Sequence, residues 1–265
     1  SGHTANAAYW FNPEHGTWTS STYYLDSLPH WVRDFNGKNY RDIYLEKTWE
    51  PLLPVADYQA SLLDNNPYEE GLYGQYTFPY NLEKLAKMGD PADYSLLMTT
   101  PYGNTYTKDF AIQAMVSEEM GRGEATDWMN IGFNVTHYLS GHYSTWSMEM
   151  QDTYLRLDRD IAHLLDFLDD HVGLENVLVF LTGDNALADD PRFLEEHRIP
   201  SGYFNYHSNI SLLKSYLNAV YGKGEWVRFY YAQQIYLNRQ LIEDSRLSLQ
   251  EVQDRVARFM IQFTG

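Results

Sequence analysis

Val177-Leu178-Val179-Phe180-Leu181 runs directly into Thr182-Gly183-Asp184-Asn185-Ala186, and the reading of these residues decides the fold. Five apolar residues rich in β-branched and aromatic types, closed by a Gly-Asp turn, have the length and composition of a buried strand. An acidic residue just past such a strand sits at the carboxyl edge of a sheet, where α/β hydrolytic enzymes present metal ligands. The next residue is Asn185. Its neutral amide oxygen is a weak donor where an imidazole would bind Zn²⁺ well, so the motif reads as a metal site short of one ligand.

On the N-terminal side, Gly173 follows the clearest amphipathic helix of the chain, Met150 to His171. Met150, Tyr154, Leu157, Ile161, Leu164, Leu165 and Leu168 recur there at helical spacing, with Glu149 and Asp152 at the positive end and His171 at the other. Asp158, Asp160, Asp166, Asp169 and Asp170 are expected to form its solvated face. Before that helix, Trp128-Met129-Asn130-Ile131-Gly132-Phe133 reads as a second strand. A strand–helix–strand order from 128 to 181 predicts parallel pairing and a right-handed crossover.

Toward the C-terminus, helices are expected at about 208–221 and 248–263 around a Tyr-rich strand near 226–237. Toward the N-terminus, 108–115 reads as a helix, and 36–110 is rich in Pro, Gly, Asn and Tyr with only brief helical patterns such as 81–88. That stretch is expected as an irregular, aromatic-rich cap-like insertion. A short helix over 28–35 has Pro29 in its first turn, and 7–24 reads as a hairpin about Asn12-Pro13-Glu14-His15-Gly16. The expected architecture is a single α/β domain over 1–265, with a central sheet flanked by helices.

Composition narrows the function. The 265 residues are 44% hydrophobic and 16% aromatic, enough for a well-packed core. A net charge of -17, from 19 Lys+Arg against 36 Asp+Glu, repels phosphate backbones and anionic headgroups, so no nucleic-acid role is expected. The absence of cysteine removes disulfides, thiolate zinc sites and Cys nucleophiles, and fits an extracytoplasmic bacterial protein. No apolar run approaches the roughly 20 residues that span a bilayer. Ser1-Gly2-His3 has no signal-peptide character, so the chain is expected to begin mid-protein or after processing. No phosphate-cradling Gly loop, Gly-x-Ser-x-Gly elbow or Rossmann fingerprint is present.

Four stretches point further: Gly2-His3-Thr4-Ala5-Asn6-Ala7-Ala8-Tyr9-Trp10-Phe11, Thr100-Pro101-Tyr102-Gly103-Asn104-Thr105, Asp152-Thr153-Tyr154-Leu155-Arg156-Leu157-Asp158 and Phe180-Leu181-Thr182-Gly183-Asp184. Together, and in this order, they resemble the phosphate-irrepressible alkaline phosphatases of the type I phosphodiesterase/nucleotide pyrophosphatase branch of the alkaline phosphatase superfamily. The resemblance implies an alkaline-phosphatase-like fold. It also implies a chemistry in which two zinc ions about 4 Å apart clamp a phosphoryl group while a Thr or Ser attacks it.

The family's nucleophile, first metal-binding Asp and phosphate clamp precede the region matching Ser1, and a final His ligand follows the region matching Gly265. No catalytic residue is therefore assigned within this chain, which looks like the middle of a family member. Two ligand motifs do fall inside it. An Asp-Tyr-x-Gly-His pattern, anchored by Phe133 and Ser147-x-Glu149, becomes His137-Tyr138-Leu139-Ser140-Gly141, and the Asp-His pair after the strand becomes Asp184-Asn185. Of four implied ligands Asp184 alone keeps its type. His137 can bind zinc and His142 stands one step from the vacated place, so Asp184, His137 and His142 are the candidate metal residues.

The leading expectation is a pseudo-phosphatase without a metal cofactor, kept for binding or assembly with other cell-envelope proteins. Tyr23, Tyr24, Tyr73, Tyr76, Tyr80, Tyr102 and Tyr106 are candidates for its contact surface, although core packing is the ordinary role of such residues. One alternative is an active zinc-dependent phosphomonoesterase or phosphodiesterase with rearranged ligands; another is a structural subunit of an envelope complex. The resemblance implies a periplasmic or extracellular setting.

Overall fold

The computed structural model describes residues 2–90, 93–184 and 186–262. The chain divides into two compact units, Ser1–Asp190 and Pro191–Gly265, each with its own apolar core.

In the first unit, β1 (Trp10–Asn12) and β2 (Thr17–Thr19) form the expected hairpin, Trp10 opposite Thr19 and Asn12 opposite Thr17. Its turn closes on Gly16 at φ 60, where a Cβ would come within 2.3 Å of the Arg41 side chain, so both conformation and space demand glycine. Pro29 precedes α1 (His30–Gly37), whose Val32 and Phe35 are buried. Then come α2 (Tyr40–Leu45), β3 (Thr48–Trp49), β4 (Tyr80–Asn81), α3 (Leu82–Ala86), α4 (Ser95–Met98) and α5 (Tyr102–Ser117). β3 and β4 pair antiparallel, and Asn81 caps α3 by accepting the Lys84 N–H. The 36–110 stretch, expected as a cap-like insertion, carries short helices and strands before α5, and it does not merely cover a core. Trp49, Leu72, Tyr80, Leu82, Leu85, Leu97 and Tyr106 are buried in one cluster with Trp18, Phe35, Leu139 and Met150.

After α6 (Val135–Leu139) runs the long helix α7 (Met148–His171), started by Ser147, whose hydroxyl accepts the Met150 N–H at 3.0 Å. Its buried face differs from the apolar stripe expected of it. Tyr154 is exposed, whereas Glu149, Asp152, Thr153 and Asp160 are buried. Long-range partners explain the exchange. The Asp152 carboxylate takes the Trp49 indole N–H at 2.6 Å, the Leu52 N–H at 2.7 Å and the Arg156 Nε at 2.6 Å, and the Tyr58 hydroxyl besides. Asp160, expected in the solvated face, lies 3.0 Å from Lys108 Nζ on α5 and accepts from Thr105 at 2.8 Å. Such satisfied polar groups can be buried at little net cost, which hydropathy alone does not reveal. Asp158, Asp166, Asp169 and Asp170 are exposed, as expected.

The strands expected at 128–133 and 177–181 do not form ladders: the described sheets are three antiparallel pairs, and neither segment belongs to them. Leu178, Val179, Phe180 and Leu181 are 79, 53, 69 and 81% exposed, and Trp128 lies beside Phe180 with ring centroids 6.2 Å apart. A strand exists only when a neighbouring backbone meets its N–H and C=O groups, and an apolar run reads the same whether or not that neighbour is at hand. The parallel strand–helix–strand order is accordingly not formed among the described residues.

In the second unit, α8 (Pro191–Glu196) and α9 (Tyr206–Tyr221) precede a hairpin of β5 (Val227–Tyr231) and β6 (Gln234–Leu237), then α10 (Arg239–Asp244) and α11 (Leu249–Ile261). The one strand expected near 226–237 is thus two, Val227 opposite Leu237. The turn between them uses Ala232 and Gln233 at φ 46 and 62. A two-residue hairpin turn requires this left-handed backbone, but its usual Asn-Gly or Asp-Gly signal is missing, which hid the reversal. Leu213, Leu217, Trp226, Val227, Ile242 and Val252 make the core. Among the described residues, no helix is long and apolar enough to cross a membrane.

Candidate functional site

Two segments of the first unit carry the residues singled out by sequence. One comprises α6 and the turns that follow it to 147; the other runs from 182 to 190.

His137 projects from α6 as an exposed side chain, its ring edge-on to Tyr138 at 5.4 Å. Gly141 is exposed, and a Cβ built on it would meet only the Tyr138 carbonyl, at 3.4 Å. Packing would therefore admit a side chain there; the position is bare by sequence, not by steric need. His142 is half-buried, and its backbone carbonyl accepts the N–H groups of Glu70 and Gly71 at 2.9 and 3.0 Å. Asp184 stands exposed at a bend. Asn185, the other altered position, lies outside the described residues.

Among the described residues, no three His, Asp or Glu side chains are grouped so as to hold a metal ion. His137, His142 and Asp184 are thus not brought together as a ligand set. A two-zinc centre of the kind the resemblance implies needs several N or O ligands per ion at about 2.0–2.2 Å, and such a set is not assembled among the described residues.

The geometry instead brings forward residues that the sequence did not assign. Asp189 Oδ1 accepts the Thr145 hydroxyl at 2.6 Å and the Trp146 indole N–H at 2.9 Å, which joins the two segments directly. The first segment is also tied to the body of the unit: the Trp146 carbonyl accepts the Leu62 N–H at 2.7 Å. Beneath it, Glu149 is fully buried and receives the Tyr80 hydroxyl at 2.5 Å, while Asn66 donates to Glu69. Burial pushes the Glu149 carboxyl up to about 8, and the nearby Glu69 and Asp64 charges push the same way against the Tyr80 bond. Burial likewise pushes Glu69 up to about 8, opposed by Asn66. The second carboxyl oxygens of both residues are buried without a hydrogen-bond partner, which suits protonated acids. Ser147-x-Glu149 is visible in the sequence as a motif anchor, but Asp189 and Glu69 carry no local signal because their partners lie elsewhere in the chain.

The comparisons agree with the motif reading. The sequence profile of the family described as type I phosphodiesterase / nucleotide pyrophosphatase matches residues 1–258. A Myroides odoratus protein named calcium-transporting ATPase is 38% identical over 255 residues, 95% of this chain and 46% of that one. Alkaline phosphatase PafA of Elizabethkingia meningoseptica is 37% identical over 262 residues, 96% of this chain and 46% of that protein. The crystal structure of wild-type PafA superposes with a TM-score of 0.90 at 34% identity, covering 98% of this chain and 49% of that chain. The chain spans about half the length of these relatives. Its fold is therefore the α/β fold of alkaline phosphatase. With the profile match running through both units, the chain belongs to the type I phosphodiesterase/nucleotide pyrophosphatase family of the alkaline phosphatase superfamily.

Proposed function

We propose that this chain is part of a catalytically degenerate member of that family, a pseudo-phosphatase that holds no zinc pair and serves in binding or assembly. The observation that carries the reading is the state of the ligand positions: Gly141 has no donor, Asn185 offers only an amide, and His137, His142 and Asp184 form no ligand group among the described residues. Metal affinity and geometry depend jointly on the full donor set, so substituting three of the four ligand positions within the chain weakens both. Exposed Tyr23, Tyr73 and Tyr76 supply aromatic contact surface, whereas Tyr80 and Tyr106 are core residues. The setting we assign is periplasmic or extracellular, among other cell-envelope proteins, in keeping with the cysteine-free composition.

The test is elemental analysis of the purified full-length protein together with p-nitrophenyl phosphate hydrolysis. Substoichiometric zinc and no turnover above background are expected, with and without added zinc. About two tightly held zinc ions per chain, with turnover that a chelator abolishes, would overturn the proposal and establish an active enzyme with rearranged ligands.

A further inference from the structure

Two features dock the described part of the segment that follows Asp184. Leu187 packs against the first core, and Asp189 presents one carboxyl oxygen to two donors of the other segment, Thr145 Oγ1 at 2.6 Å and Trp146 Nε1 at 2.9 Å. An indole N–H is a single directional donor, and a carboxylate accepts more strongly than any neutral group, so convergence on one oxygen fixes register as well as proximity.

The surface that Asp189 meets is tied to the rest of the unit by hydrogen bonds of its own. The His142 carbonyl is held by the Glu70 and Gly71 amides, the Trp146 carbonyl by the Leu62 amide, and Ser147 caps α7. Three backbone hydrogen bonds, two of them to the His142 carbonyl, and the Ser147 side-chain cap thus bracket Thr145 and Trp146. The two neutral donors satisfy the Asp189 carboxylate oxygen that faces them, which gives the residue a structural role.

We propose that Asp189 is a cross-loop tie, holding the 186–190 segment against Thr145 and Trp146 through its two hydrogen bonds, so that the two former ligand segments keep their arrangement without a metal ion. This rests on the pseudo-phosphatase reading in one respect: segments that share no cation need another link. Zinc content and turnover decide that reading; hydrogen exchange decides the tie separately.

Exchange is measured on the full-length protein and resolved by peptide. Asp189→Ala should raise exchange in 186–190 by about tenfold or more, the scale set by two hydrogen bonds to a charged acceptor. The double variant Thr145→Val/Trp146→Phe, which removes the two donors and keeps the carboxylate, should reproduce that rise. The 140–147 peptide should change much less, because its backbone anchors remain. Treating the unmodified protein with a chelator should leave 186–190 unchanged. Unaltered exchange in both variants would overturn the tie, as would a chelator effect as large as that of Asp189→Ala. Should Asp189→Ala fail to fold, the donor variant alone distinguishes these outcomes.

Discussion

At the scale of single residues, the buried acids beside the candidate site set a pH dependence whose sign is fixed by the direction of their shifts. Burial pushes the carboxyls of Glu149 and Glu69 up from 4.5, their value in an unfolded chain, to about 8. Their contribution to stability is present in full below the unfolded value. It is lost as pH climbs toward the folded value, because the unfolded chain releases the protons first. Urea unfolding of the protein between pH 5 and 8.5 is therefore expected to show stability falling with pH from this pair. Glu149→Gln, which keeps the shape and cannot ionise, should flatten that slope; an unchanged slope would mean that the carboxyl is ionised in the fold. Little of this is legible in the sequence. Ser147-x-Glu149 marks the position, but only Tyr80, from the distant strand β4, and Glu69 reveal how dry it is.

At the scale of elements, helices are legible in the sequence and strands poorly so, for one reason. A helix meets its backbone hydrogen bonds within itself, so α7, α9 and α11 lie close to the ranges that periodicity predicts. A strand needs a neighbouring backbone, and the 128–133 and 177–181 segments join no ladder among the described residues. Contact between helices also escapes periodicity. The α5–α7 interface closes on Lys108, buried between Asp160 at 3.0 Å and Asp109 at 3.3 Å, and Asp109 in turn accepts from Tyr44. Lys108→Ala would leave Asp160 without its cation, and a loss of about 3–5 kcal/mol in chemical denaturation is expected. Lys108→Met with Asp160→Leu should recover much of that loss, since a packed apolar pair avoids the desolvation of both charges. Failure of the double variant to exceed the single one would show that Thr105 and Asp109 make the ion pair indispensable.

At the scale of the whole molecule, the two compact units have separate cores, and they can be perturbed separately. Leu217 on α9 is fully buried in the second core. Leu217→Ala is expected to cost about 2–5 kcal/mol there, the range for a leucine truncated in a packed interior. Hydrogen exchange should rise through α9, β5, β6, α10 and α11 while α5 and α7 keep their protection. Uniform loosening of all these elements would instead mark a single cooperative unit.

Residue types by themselves determined the family and which donor atoms each candidate position carries. Gly141 cannot donate, Asn185 is not an imidazole, and the order of the motifs along the chain identifies the fold. These are properties of atoms that each residue carries wherever it lies. Only the tertiary structure decided which acids are buried, that Asp189 meets Thr145 and Trp146, and that Asp184, His137 and His142 do not assemble. Burial, pairing and coordination are relations between distant residues. They acquire values only when the folded chain sets the distances, because desolvation and hydrogen bonding act over a few ångströms and take no account of sequence separation.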